Sequence, residues 1–160
     1  AQTDGPVLEV GNVLGHYGPH SHTVIDKYET APSVINADIT QWQTDRRFAL
    51  IISISTFEHI GFDDDTDGNS GEKIQAAIAA CRALLAPDGR LVITVPLGYN
   101  PALDELIANE TLGANETRFL LRHDRRDWRE ALRDKAIGTK YGEPFPYANG
   151  LWVAQFLPAN

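Results

Sequence analysis

The order of apolar segments predicts an α/β fold, a doubly wound and mainly parallel seven-strand sheet whose last strand runs antiparallel. Three observations carry this. Short, unbroken, β-branched runs alternate with stretches of helical period, as in strands covered on both faces. Those runs end in acids or hydroxyls, at the carboxyl ends where ligands of such sheets bind. The final two runs are joined by a long loop, which suits an antiparallel pair at one edge.

Each element has its own signal. Residues 7–10 (VLEV), 22–26 (HTVID) and 34–37 (VINA) read as short strands. Residues 48–55 (FALIISIS) are the longest β-branched run and make the central strand, and 90–95 (RLVITV) a fifth. Residues 70–85 form the clearest helix. Asn69 caps it with Glu72 reaching back, and Ile74, Ala77, Ile78, Cys81, Leu84 and Leu85 fall on one stripe. The PDG at 87–89 is expected to stop it. A second helix starts with Pro101 at its first position and runs to about residue 110. Residues 118–122 (RFLLR) and 150–157 (GLWVAQFL) supply the last two strands, and 127–133 (DWREALR) reads as a short helix. The first crossover has room for a helical turn or two, and the second is too short for a full helix.

The totals narrow the function. The 160 residues form one domain, 42% apolar and 22% charged. A strand begins almost at once, so residues ahead of it are expected to have been trimmed. No apolar run approaches the roughly 18 residues of a membrane span, and no signal peptide is visible. The formal charge of −8 argues against nucleic acid as a partner, because phosphate binding requires clustered Lys and Arg. One cysteine, Cys81, excludes an internal disulfide and any multi-cysteine metal site, and suits a reducing, cytoplasmic setting.

The strand ends concentrate the chemistry. Glu9 closes the first run and is followed by Gly11 and Gly15, where bare backbone admits a ligand and its N–H groups can hold an anionic group. Asp26 closes the second, where a carboxylate can accept both hydroxyls of a ribose. Asp38 follows the third and can accept from an adenine amine. Ser53, Ser55 and Thr56 close the fourth, ahead of FEHIG.

In these segments the chain resembles class I S-adenosylmethionine-dependent methyltransferases, and most of all small methyltransferase-like proteins of unassigned substrate. LEVGNVLG resembles their acid and glycine-rich turn, with Val13 where the family has a middle glycine. VIDKYE, INADI, FALIISISTFEHIG and CRALLAPDGRLVITVP resemble the motifs of the next four strands. The resemblance implies a Rossmann-like fold and S-adenosylmethionine as methyl donor. It implies that Glu9, Gly11, Asn12 and Gly15 hold the amino-acid end and that Asp26 and Lys27 take the ribose. Asp38 and Ile39 would border the adenine, and Ser55 and Thr56 would lie beneath the sulfonium. The reaction it implies is methyl transfer to oxygen, nitrogen or carbon of a small molecule. The alternatives are a nucleoside-binding module of the same fold without turnover, and a nicotinamide-dependent reductase. The reductase lacks its G-x-G-x-x-G pattern here.

Other signals compete with plainer readings. Glu58 and His59 are the candidate catalytic pair, a base oriented by an acid; against this, methyl transfer is an in-line displacement that positioning alone can drive. His16, His20 and His22 read as a polar loop over the pocket, without metal-site spacing. The DDDTDG at 63–68 opens like a calcium loop, but Ile74 stands where the closing Glu belongs, so an acidic loop ahead of a helix is expected. Arginines 118–133 interleave with acids as an ion-paired surface. Tyr99 is expected to face the acceptor, Asn100 to cap the next helix, and Trp42, Trp128 and Trp152 to anchor packing.

Overall fold

The structure, a computed structural model, describes residues 5–63 and 69–159. Eight strands form one sheet: β1 (Val7–Val10), β2 (Thr23–Asp26), β3 (Val34–Asn36), β4 (Phe48–Ile54), β5 (Leu85–Pro96), β6 (Glu116–Arg122), β7 (Trp128–Ala131) and β8 (Gly150–Phe156). Their order is β3-β2-β1-β4-β5-β8-β6-β7. The first five run parallel, and β8, β6 and β7 extend the sheet antiparallel. The chain winds outward from β1 to β3, then returns and winds the other way from β4. Ligands collect at that reversal, because neighbouring loops diverge there and leave a crevice.

The expected α/β sheet is present with one strand more than predicted. The extra strand is β7, in the segment read as a helix. Seven residues are too few to hold a helix unaided, whereas pairing Phe119 to Ala131 and Arg122 to Trp128 occupies their backbone groups. The Arg122 guanidinium lies 5.9 Å from the Trp128 ring centroid and reinforces the pair.

Three helices are described: α1 (Ser70–Ala83), α2 (Pro101–Ala108) and the single turn α3 (Arg133–Ala136). The apolar stripe of α1, the Leu103–Ile107 face of α2 and Ala136 of α3 join Leu8, Ile51, Ile93, Phe119 and Trp152 in one core. On the opposite face Leu50, Ile52 and Ile54 of β4 and Leu151 and Val153 of β8 stay half-buried. The β1–β2 crossover contains only a 3-10 turn, Leu14–His16, and the β2–β3 connection contains no helix.

Two local expectations change. The PDG does not separate a helix from a strand: β5 already begins at Leu85, and a register shift between Phe48 and Leu50 opposes it. Gly89 is required there, since a Cβ would stand 2.5 Å from the Phe48 carbonyl oxygen. The capping box of α1 does not form through the Asn69 side chain, and the Ser70 hydroxyl instead donates to the Gly61 carbonyl. The cap of α2 is as expected, with Asn100 Oδ1 accepting from Ala102 and Leu103 N–H at 3.0 and 3.3 Å.

Candidate functional site

The loops beyond β1 to β4 enclose a cavity of about 700 Å³, inside the roughly 300–1,000 Å³ of small-molecule sites. Its first wall is the turn after β1. Gly11 adopts φ +86° and donates its N–H to the Ile25 carbonyl at 2.9 Å. A Cβ on Gly11 would stand 2.1 Å from Thr56 Oγ1, so glycine is required for both conformation and space.

Glu9 shapes this turn from beneath. It is fully buried, and its Oε1 accepts the Val13 and Leu14 N–H groups at 2.9 and 2.8 Å. Its Oε2 lies 2.6 Å from His22 Nε2. Both oxygens are engaged, and Glu9 does not line the cavity. Gly15 does not line it either; it faces Asn12, where a Cβ would stand 2.2 Å from Oδ1. In this arrangement Glu9 supports the turn from beneath, because a buried carboxylate must spend its acceptors on nearby donors.

The next wall comes from β2 and β3. Asp26 Oδ1 accepts the Tyr28 and Glu29 N–H groups, both at 2.8 Å, while Oδ2 has the Asn12 N–H at 3.4 Å. One oxygen thus fixes the turn and the other faces the cavity. Glu29, which the sequence reading passed over, lines the cavity beside it and receives the Asn12 amide at 2.8 Å. Asp38 accepts the Thr40 N–H and hydroxyl at 2.9 and 2.7 Å, and Lys27 Nζ lies 3.6 Å from its Oδ2. Burial alone would raise the Asp38 pKa; the Thr40 bonds and the Lys27 charge outweigh it and hold it below the ordinary value. Ile39 is the buried floor.

The third wall follows β4. Ser55 adopts φ +46°, uncommon for a residue with a Cβ, and this turns the chain into a 3-10 turn, Phe57–His59. Ser55, Thr56 and His59 line the cavity. Glu58 lies behind them, 2% exposed, with Oε1 3.7 Å from His59 Nε2 and Oε2 without a hydrogen-bond partner. Burial is the largest influence on its carboxyl and pushes its pKa up to about 7; its own N–H and the His59 charge pull the other way.

His59 Nδ1 contacts Asp63 Oδ2. The Tyr99 hydroxyl donates toward both Asp63 oxygens at 3.3 Å. Tyr99 meets the rings of His59, Tyr141 and Phe62 edge-on, with centroids at 5.0, 5.0 and 5.7 Å. Burial and the Asp63 carboxylate raise the Tyr99 pKa. Asn149 holds the loop carrying Tyr141: its amide donates to the Lys140, Phe145 and Tyr147 carbonyls and accepts the Phe145 N–H.

Sequence order hid the pairing of Tyr141 with Tyr99, more than 40 residues away. Asp63 had been read only as part of an acidic loop. The rest of that calcium-like segment, 64–68, lies outside the described residues. Of the histidines, His16 lines the cavity, while His20 and His22 stack at 4.3 Å behind it.

No family model matches the chain, and no curated protein matches it. Solved structures do. The chain is similar to the N-methyltransferase NodS from Bradyrhizobium japonicum WM9, at 18% identity and TM-score 0.56, covering 97% of this chain and 87% of that one. A second NodS structure, in complex with S-adenosyl-L-homocysteine, matches at 19% identity and TM-score 0.53, covering 98% and 79%. A TehB-like SAM-dependent methyltransferase from Corynebacterium glutamicum matches at 19% identity and TM-score 0.51, covering 99% and 83%. At these identities the likeness shows the fold: an α/β, Rossmann-like, mainly parallel sheet of the kind these methyltransferases have.

Proposed function

We propose that the chain transfers a methyl group from S-adenosylmethionine to oxygen, nitrogen or carbon of a small molecule. One observation carries this reading: a single cavity runs from the bare Gly11 turn, past Asp26 and Glu29, to Asp38 and Ile39, with Ser55, Thr56 and His59 at its other side. The chemistry fits the donor. Gly11 and Asn12 line the end of the cavity that takes its amino-acid end, and Gly11 lets the turn pack directly on Thr56. Asp26 Oδ2, which takes only the long 3.4 Å Asn12 N–H contact, and Glu29 accept one ribose hydroxyl each, Lys27 holds Asp38 in place, and Asp38 with Ile39 borders the adenine. Gly15 and Glu9 support the turn. When bound, the donor supplies an electrophilic methyl group on a sulfonium sulfur. Ser55 and Thr56 lie under that position and fix the line of attack, which is where effective-molarity gains arise. Glu58 and His59 take the proton from an acceptor that must lose one.

The test is calorimetric titration with S-adenosylhomocysteine and, separately, NAD. Binding of the first and not the second is expected. Asp26→Ala should weaken it by tenfold or more, about 1.4 kcal/mol, and Glu29→Gln, which keeps the turn at Asp26, should weaken it severalfold. Unchanged affinity in both variants overturns the reading, and NAD binding alone establishes a reductase. A metabolite screen by mass spectrometry separates turnover from a binding module.

A further inference from the structure

We propose that the acceptor is an amine that arrives as an ammonium ion at Asp63, with its organic part laid against Tyr99; this rests on the methyl-transfer reading above. The site is built from a carboxylate and rings. Asp63 is 40% exposed and faces His59 and the Tyr99 hydroxyl. Tyr99 sits among His59, Phe62 and Tyr141, with Phe62 and Tyr141 partly exposed. Behind His59, Glu58 is buried with Oε2 unpaired and stands outside the cavity lining.

The Asp63 carboxylate disfavours an anionic acceptor by like-charge repulsion. A neutral alcohol gains less from it than a cation does. An ammonium supplies three N–H donors and a full positive charge to that carboxylate, and ring faces add cation–π attraction. Lys73 borders the cavity from α1, on the side of Gly61, and the ring cluster lies toward β5.

The same groups handle the proton. Asp63 and His59 face each other through Oδ2 and Nδ1, and His59 Nε2 lies toward Glu58 at 3.7 Å. The ammonium loses one N–H proton to the Asp63–His59 pair. Its freed lone pair forms the N–C bond to the donor methyl while the C–S bond breaks, that electron pair staying on sulfur. The pair, both members at least 40% exposed, then returns the proton to solvent.

The test uses 2-phenylethylamine and its acid counterpart 3-phenylpropionate, titrated calorimetrically into the protein with and without saturating S-adenosylhomocysteine. The amine should bind at least about tenfold more tightly than the acid. Asp63→Asn should cost the amine about tenfold, and Tyr99→Ala a similar factor, with Tyr99→Phe retaining most of the affinity because the ring remains. Tyr99→Ala should leave S-adenosylhomocysteine affinity unchanged. Equal or tighter binding of the acid, no amine binding, or an unaffected Asp63→Asn variant overturns the proposal. Amine binding without S-adenosylhomocysteine binding would defeat the methyl-donor reading alone.

Discussion

Replacing Glu58 by Gln should reshape the pH dependence of stability more than its value at any one pH. The native carboxyl is pushed from an ordinary 4.5 up to about 7, first by burial and further by the nearby Asp63 charge. Between those two values the folded protein holds a proton that the unfolded chain has released. Stability from this group is therefore complete below pH 4.5 and is lost as pH rises through about 7. The interval corresponds to about 3 kcal/mol, a large part of the roughly 5–15 kcal/mol typical of a domain. Glutamine fills the same space and does not titrate. Urea unfolding at pH 4.5, 6 and 8 gives the free energies, and subtracting the two proteins cancels titrations they share. The Gln variant should gain on the wild type by about 3 kcal/mol between the first and last pH. A difference that stays flat to within about 0.5 kcal/mol would show that Glu58 ionises normally, and the argument from burial would fail.

Gly11→Ala places a methyl group on Thr56 Oγ1 in a left-handed backbone. It should cost about 1–3 kcal/mol and abolish S-adenosylhomocysteine binding, measured by thermal melting and calorimetry; a fully stable, binding variant would contradict the packing. His22→Ala removes the 2.6 Å partner of a buried carboxylate oxygen. The loss should be about 1–3 kcal/mol, with faster amide exchange at Val13 and Leu14. Asn149→Ala deletes four bonds to the 140–147 loop. It should cost about 2–3 kcal/mol and free Tyr141, visible as altered ring-current shifts at Tyr99. Cys81 is fully buried and its thiol is pushed up to about 12 by burial, so a disulfide reagent should react only at the rate of opening.

The sequence by itself determined the sheet and most of its winding. Parallel strands covered by neighbours must be apolar throughout, so β1 to β5 are written as continuous runs, and a helix such as α1 must show its stripe. It also determined which acids sit at strand ends, since Asp26 and Asp38 are the residues at which those runs stop. Tertiary structure decided what each acid does. Glu9 stands one residue before the end of β1 and Asp26 closes β2, yet Glu9 is spent on Val13, Leu14 and His22 while Asp26 Oδ2 has only a long 3.4 Å contact beside the cavity. It turned 128–131 into a strand, because β6 offered that segment a partner which local propensity does not register. It brought Tyr141 to Tyr99 through the Asn149 clamp. Periodicity reports which side of an element is dry. Which buried polar group finds which donor depends on segments distant in the chain, and only their packing fixes it.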